Sequence, residues 1–173
     1  MSAFKNESLR NAAVKSVTVS TSIPGEPVQW NAGGIKLVGT PESEGKQYRI
    51  IGGDFDYLKA FGAKLLTGRI FSKDFVTTDP HTVVLNKKAT EQMGFAKPDQ
   101  AIGKRIDFWG DVYTIIGVVE NHHQQSLHDA YDALIYRCIP DVRGDVSVKI
   151  STANLPATIA ALKATWQNFF PGD

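Results

Sequence analysis

The 173-residue sequence has little cysteine, little net charge and no long apolar run, and each shortage excludes a class of protein. Its single cysteine, Cys138, excludes both a disulfide within the chain and a zinc site built from several thiolates. Cys138 lies in the apolar run from Leu134 to Ile139, which favours a buried, unreactive thiol. The net charge of +1 gives no electrostatic reason to expect binding to nucleic acid or to an anionic membrane surface.

Apolar segments of membrane length are also missing. The longest apolar stretch, from Tyr113 to Val119, is much shorter than the roughly 20 residues of a spanning helix. Met1 is followed by polar residues, so no signal peptide is visible. If the domain functions outside the cytoplasm, we expect its targeting and anchoring segments to lie outside this sequence, which then represents a trimmed piece.

Motifs for nucleotide binding and for nucleophilic catalysis are lacking as well. The pairs Gly33-Gly34 and Gly52-Gly53 have neither the G-x-G-x-x-G spacing nor the Lys-Ser/Thr of a P-loop. No serine lies in a G-x-S-x-G context. Asp54 is better explained as a helix cap than as the acid–base partner of Asp56. The sequence therefore predicts no catalytic residue and no cofactor.

Three histidines, His122, His123 and His128, lie within seven residues and could in principle bind zinc or copper. However, neighbouring residues of an extended chain point to opposite sides, and the spacing of H-E-x-x-H is absent. This pattern favours structural roles in a polar loop, and we predict no metal site. A small metal-dependent hydrolase that uses these imidazoles remains an alternative hypothesis.

Alternating apolar residues and turn signals predict strands separated by short helices. Predicted strands cover 14–22, 35–39, 47–52, 64–66, 83–85, 105–108, 113–119, 134–139 and 145–150. Predicted helices begin at Phe4, after a cap at Asp54, after a cap at Asn86 and after a cap at Asn154. In the last helix the apolar residues share one face, namely Leu155, Ile159, Leu162, Trp166 and Phe169.

This order lacks the regular alternation of a doubly wound sheet, so it indicates an α+β fold with mixed and antiparallel pairing. The first and last helices each neighbour a single strand, like two βαβ halves without their outer strands. We therefore expect an unpaired sheet edge.

Aromatic residues in turns provide the candidate contact sites. Trp30 lies in a loop rich in proline and glycine, and Phe108 and Trp109 lie beside a hairpin turn at 109–111. Aromatic side chains at loop tips are common interface anchors because they bury a large area at little entropic cost. Trp30, Phe108 and Trp109 are therefore possible partner contacts, with folding of Trp109 onto its own hairpin as the alternative.

An ordered series of short motifs resembles one known family. It runs through Gly68-Arg69-Ile70-Phe71, Val83-Val84-Leu85-Asn86, Met93-Gly94-Phe95, the segment 98–106, the segment 113–119 and Gln125-Ser126-Leu127-His128. Together these residues resemble the MacB-like periplasmic core domain of FtsX-type ABC transporter permeases. Where that family often has an acidic residue, an aromatic residue and a histidine before Ser-Leu-His, this sequence has Asn121-His122-His123.

The resemblance implies a non-enzymatic domain on the outer face of the cytoplasmic membrane, inserted between the first two transmembrane helices of a permease. It implies a lobe of split βαβ units (1–53 plus 133–173) and an inserted α+β lobe (54–132). The implied partners are a periplasmic adaptor or another cell-envelope protein, and a cytoplasmic ATPase that acts through the membrane part. The alternative is a free-standing extracytoplasmic domain for ligand binding or sensing.

Overall fold

The structure, a computed structural model, describes residues 1–122, 124 and 130–172. Among these residues the α-helices are α1 (Ser2–Ser8), α2 (Tyr57–Ala60), α3 (Lys87–Gln92) and α4 (Leu155–Phe169). The strands are β1 (Val14–Ser20), β2 (Asn31–Leu37), β3 (Lys46–Gly53), β4 (Leu65–Gly68), β5 (Thr82–Asn86), β6 (Arg105–Phe108), β7 (Asp111–Val119), β8 (Leu134–Cys138) and β9 (Asp145–Ile150). Parallel and antiparallel pairs both occur, so the predicted α+β class with mixed pairing is confirmed.

Six of the described strands close into a barrel. The pairing runs β2–β6–β7–β5–β8–β3, and β3 then pairs with β2 to complete the ring. The pairs β3–β8 and β5–β7 are parallel, whereas the remaining pairs of the ring are antiparallel. Closure satisfies backbone groups that an open sheet would leave at its edges.

Strand alternation sorts the apolar residues to the two faces of the barrel wall. Val83 and Leu85 of β5 belong to the interior cluster, together with residues from each of the other five strands. The intervening Val84 belongs to a second cluster outside the wall, which includes Tyr57 and Leu58 of α2. This two-sided burial explains why β5 and β8 read as continuous apolar runs in the sequence.

An outer layer formed by β1, β9, α1 and α4 lies beside the barrel. β9 pairs antiparallel with β1, and β1 meets β3 through the pair Ser20 and Gly53. Phe4 of α1 packs edge to face on Trp166 of α4, with ring centroids 5.0 Å apart. Among the described residues β9 pairs on one side only, which is the unpaired edge that the sequence predicts.

Gly53 lies at this junction for a steric reason. A Cβ atom at position 53 would lie 2.6 Å from Cβ of Tyr57, so any larger residue would push α2 away from the wall. Gly52 is equally constrained, because its Cβ would meet the side chain of Ile139 at 2.6 Å. Gly52 and Gly53 therefore allow Ile139 and α2 to pack directly against the backbone of β3.

Three local predictions are wrong. β2 begins at Asn31 because Gly33 and Gly34 lie in a bulged part of the strand, where Gly34 has a φ of +78°. Asn154 makes no side-chain cap bond to α4; instead its carbonyl accepts from Thr158. Asp54 lies before the N-cap position of α2, which is Asp56, although its Oδ1 accepts from the backbone N–H of Asp56 at 3.0 Å. Asn86, by contrast, is confirmed as the cap of α3, since its Oδ1 accepts from the backbone N–H of Ala89 at 2.8 Å.

No helix in the described part of the chain has the length and hydropathy of a membrane span. The division into lobes at 1–53 plus 133–173 and 54–132 stays a prediction. The sheet runs through both segments, because β8 pairs with β3 on one side and with β5 on the other.

Candidate functional site

The hairpin between β6 and β7 has a two-residue turn, Trp109-Gly110, in which both residues have positive φ. Such turns match the twist of the flanking strands, and they usually contain Asn-Gly or Asp-Gly. Trp109 has a φ of 59° and is the one non-glycine residue with positive φ in the described part of the chain. Left-handed backbone at such a residue costs on the order of 1 kcal/mol, so the surrounding structure must impose it.

Two hydrogen bonds hold this turn. The Nε1–H of Trp109 donates to the carbonyl of Gly33 on β2 at 2.7 Å, and Oδ1 of Asp107 accepts from the backbone N–H of Gly110 at 2.8 Å. The indole is nevertheless 65% exposed. Trp109 is thus a fixed aromatic surface that is largely open to solvent.

Behind the turn, four aromatic rings and one arginine form a group that we name the hairpin-tip cluster: Trp30, Phe108, Trp109, Tyr113 and Arg137. Ring centroids of Phe108 lie 6.0 Å from Trp30, 5.0 Å from Trp109 and 6.0 Å from Tyr113. Phe108 is only 3% exposed and Trp30 is half-buried. Of the three residues predicted as partner contacts, Trp109 is therefore the one with a largely exposed side chain. Phe108 packs against the ring of Trp109, and Trp30 packs against Phe108.

Arg137 of β8 places a cation among these rings. Its guanidinium carbon lies 5.4, 5.1 and 4.6 Å from the ring centroids of Trp30, Phe108 and Tyr113, respectively. It also donates from Nη2 to the hydroxyl of Tyr113. Among the described residues no carboxylate pairs with Arg137, and its buried Nε has no hydrogen-bond partner.

Sequence reasoning missed Arg137 and Tyr113. Each lies in an ordinary-looking strand, and they meet because β7 and β8 flank β5 in the sheet. The one signal available was a charged residue within the apolar run from Leu134 to Ile139.

Of the three histidines considered as metal ligands, the structure describes His122 alone, and the contacts of His122 are with other side chains. His122 approaches Gln124 Oε1 through Nε2 at 3.1 Å and the hydroxyl of Tyr136 through Nδ1 at 3.3 Å. His123 and His128 lie outside the described residues. Within the described part of the chain, no group of three potential ligands could hold a metal ion.

Asp54 joins α1 to the barrel. Its carboxylate accepts from Lys5 Nζ at 2.6 Å, from Thr18 Oγ1 at 2.6 Å and from the backbone N–H of Val19 at 3.0 Å. Lys5 also pairs with Asp56 at 2.8 Å. Burial opposes the charge on Lys5, but the hydrogen bonds and charges of the two carboxylates outweigh it and raise the pKa of Lys5.

A second ion pair fixes the segment between β4 and β5. Arg69 donates two hydrogen bonds to Asp79, at 2.6 and 3.1 Å, and the backbone N–H of Ser72 donates to the same carboxylate at 2.8 Å. Asp79 is fully buried. Arg69 also lies over the ring of Phe75 at 4.0 Å. These contacts account structurally for the arginine of the Gly-Arg-x-Phe motif.

Cys138 has a thiol that is buried in the outer cluster of the barrel wall. Burial, together with the negative charges of Asp79 and Asp54, raises its pKa to about 12. A thiol with such a pKa is almost entirely protonated at neutral pH, which makes it a poor nucleophile.

A cavity of about 410 Å³ lies between α2 and the segment at 120–122. Its walls are mainly apolar and aromatic, and they include Tyr57, Leu58, Phe61, His122 and Tyr136. Volumes of this order are typical of small-ligand sites.

Two solved structures have a similar fold. The chain matches the periplasmic region of MacB from Actinobacillus actinomycetemcomitans with a TM-score of 0.66 and 21% identity, over 96% of this chain and 72% of the other. It matches the extracellular domain of the noncanonic ABC-type transporter YknZ from Gram-positive bacteria with a TM-score of 0.63 and 16% identity, over 96% and 82% of the two chains. No curated protein sequence matches the chain.

The fold, together with a match to a family model, defines an extracytoplasmic domain of an ABC transporter permease of the MacB/FtsX type. Residues 4–165 match the model of the MacB-like periplasmic core domain, and the chain belongs to that family. The resemblance drawn from the sequence motifs is confirmed. The family is a transporter domain and is generally non-catalytic.

Proposed function

We propose that this domain binds a partner protein of the cell envelope through the hairpin-tip cluster, and that it couples this contact to conformational change in the permease. The observation that carries the proposal is Trp109, which is 65% exposed yet fixed by a hydrogen bond to Gly33 in a strained backbone conformation. Strained residues that the surrounding structure holds in place cluster at active sites, ligand clamps and switch regions. A rigid indole also loses little entropy when it becomes buried in an interface.

Arg137 indicates which kind of partner fits the cluster. A guanidinium that is partly withdrawn from water and has no carboxylate among its described neighbours gains most from a negatively charged group brought by another molecule. The aromatic rings around it would exclude water from that contact and strengthen it. A partner that presents an acidic side chain beside an apolar one matches this arrangement.

Coupling would use the closed barrel as a stiff connector. β2 carries Gly33, which anchors Trp109, and β2 pairs with β3, which in turn meets β1 of the outer layer. A displacement imposed at the hairpin tip therefore reaches α1 and α4 through continuous sheet. The cytoplasmic ATPase would act on the same path from the other side, through the membrane part of the permease.

The test is a pull-down from cell-envelope extract with four baits: the wild-type domain, Trp109→Asn, Arg137→Gln and, as a control, Val76→Asn. Asparagine tolerates the backbone conformation of residue 109. Val76 is a comparably exposed apolar residue, at 54%, outside the cluster. We expect a protein that co-purifies with the wild type and the control to be lost with Trp109→Asn and to be weakened by Arg137→Gln. Equal capture by all four baits would contradict the proposal.

Small-molecule binding is a second candidate function, and the cavity beside α2 favours it. The probe is the uncharged dye N-phenyl-1-naphthylamine, whose fluorescence rises in apolar surroundings. We expect saturable binding that Phe61→Ser weakens and Phe75→Ser, at a similarly exposed phenylalanine, leaves unchanged. Binding that is unaffected by Phe61→Ser would remove this candidate.

A further inference from the structure

A cleft of about 370 Å³ lies between α2 and the outer layer, away from the hairpin-tip cluster. Its floor is formed by Lys15 and Ser16 of β1 and by Lys149 of β9, which stands beside Ser16 in the strand register. Lys59 of α2 and Lys73 form the opposite wall. We name this feature the lysine cleft.

Charge in the lysine cleft is strongly unbalanced. Four lysines and one aspartate, Asp56, line it, which gives a local net charge of +3 on a chain whose total is +1. Lys73 pairs with Asp56 at 2.8 Å. Among the described residues, no carboxylate lies within ion-pair distance of Lys15, Lys59 or Lys149.

Asp56 does not neutralise the cleft, because its charge is already shared. It accepts from both Lys5 and Lys73, each at 2.8 Å. Burial opposes ionisation, but these two ammonium groups outweigh it and lower the pKa of Asp56. The Asp56 carboxylate is thus paired with Lys5 and Lys73 and does not pair with the other lysines of the cleft.

Ser16 provides an observation that is independent of charge. Ser16 lines the cleft, and its hydroxyl oxygen is buried beneath this surface with no hydrogen-bond partner among the described residues. A buried hydroxyl without a partner is uncommon, and a bound ion or ligand is one standard reason for it. Ser16 could donate to an oxygen held between the lysines.

We propose that the lysine cleft binds a phosphate-bearing ligand, with the ammonium groups of Lys15, Lys59 and Lys149 on the phosphate oxygens and the Ser16 hydroxyl as an additional donor. Phosphate suits the site because lysine acts as a point charge that accepts any orientation of the oxygens. A cleft lined by one sign of charge also concentrates oppositely charged ligands. The ligand is either a soluble phosphate compound or the headgroup of an anionic phospholipid.

The first experiment uses inorganic pyrophosphate and the wild-type chain, with thermal unfolding measured at constant ionic strength. We expect the unfolding temperature to rise with pyrophosphate concentration. The double variant Lys59→Gln/Lys149→Gln should bind about tenfold more weakly, since it loses two charged contacts. The matched control, Lys87→Gln/Lys104→Gln, removes two exposed lysines elsewhere and should respond like the wild type.

The second experiment identifies the source of the phosphate by co-sedimentation with phosphatidylglycerol vesicles, compared with phosphatidylcholine vesicles. Binding to phosphatidylglycerol that the Lys59/Lys149 variant loses and the control keeps assigns a lipid headgroup. A pyrophosphate response without vesicle binding assigns a soluble ligand. No response to either probe, or an equal response in both double variants, would overturn the proposal. None of these outcomes depends on Trp109 or on a protein partner.

Discussion

The barrel and helix α4 of the outer layer bury their apolar residues to very different degrees. Each of the six barrel strands contributes to an interior cluster in which Ile50, Leu85 and Ile135 are fully buried. In α4, by contrast, Thr158 is the one residue classed as buried, and Leu155 and Ile159 are about 40% exposed. The stability of the domain is therefore concentrated in the barrel.

Ring closure accounts for this difference. Closure gives each barrel strand a hydrogen-bonded neighbour on both sides, whereas β9 has one neighbour among the described residues. Regions with few buried contacts open locally at lower free energy than the core of the same protein. We expect hydrogen exchange to be slow in β5 and β8 and faster in β9 and α4.

The largest contrast should come from one substitution made in each region. Leu85→Ala empties a fully buried site inside the barrel, and we expect it to lower the free energy of unfolding by about 4 kcal/mol. Leu162→Ala in α4 removes a half-buried side chain and should cost about 1 kcal/mol. Urea denaturation measures both values, and similar losses would refute the comparison.

Asp79→Ala should have the next largest effect. It removes a fully buried carboxylate and leaves the guanidinium of Arg69 and the backbone N–H of Ser72 without their partner. We expect a loss of about 3 kcal/mol in the free energy of unfolding. Asp141→Ala, at an exposed carboxylate, is the control and should change it by less than about 0.5 kcal/mol.

Lys5→Met tests the ion pairs that connect the two regions. It leaves Asp54 and Asp56 without their shared cation, and we expect a loss of about 2 kcal/mol at pH 7. Because the pKa of Asp56 is lowered by folding, its stabilisation is present above its unfolded pKa of ~3.9 and disappears as pH falls through the folded value.

The difference between wild type and Lys5→Met should therefore shrink below pH ~4. At the alkaline end, the raised pKa of Lys5 keeps its contribution complete up to its unfolded pKa of ~10.4, beyond which it is lost as pH rises through the folded value. Urea titrations at pH 3, 7, 9 and 11 measure both ends. A difference between the two proteins that stays constant down to pH 3 would argue against the ion pairs as its source.

The smallest effect is expected for Trp109→Asn. It relieves the left-handed backbone strain but loses the hydrogen bond to Gly33 and the contact with Phe108. These contributions oppose each other, so the free energy of unfolding should change by less than about 1 kcal/mol. A much larger loss would mean that Trp109 serves the stability of the barrel more than a partner surface.

Much of the local structure could be predicted because it depends on neighbours in sequence. The alternation in 105–119 located the hairpin of β6 and β7, and the position of Asn86 before a helical pattern located its cap. Ring closure could not be predicted, since the β2–β6 and β5–β8 pairs join segments far apart in the chain.

For the candidate sites, too, features that depend on sequence neighbours could be predicted and features that depend on tertiary packing could not. The turn at Trp109 was visible in the sequence, but the approach of Arg137 to Tyr113 depends on the pairing of β7 and β8 with β5. Lys149 and Lys59 likewise lie far apart in the chain and share a cleft only through tertiary packing. Asp54 was interpreted as a helix cap because a local sequence pattern carries no sign of its contacts with Lys5 and Thr18, which lie far away in the chain.

The narrow junction at Gly53 has a mechanical consequence. β1 adjoins the barrel through the short stretch around Ser20 and Gly53, whereas it runs alongside β9 for six paired residues. A load applied to α1 and α4 would therefore reach the barrel through this short junction, where the ion pairs of Lys5 with Asp54 and Asp56 reinforce the few strand hydrogen bonds. At that junction, Gly52 and Gly53 hold Ile139 and α2 at closest approach, so a larger side chain at either position would disturb the connection between the two regions.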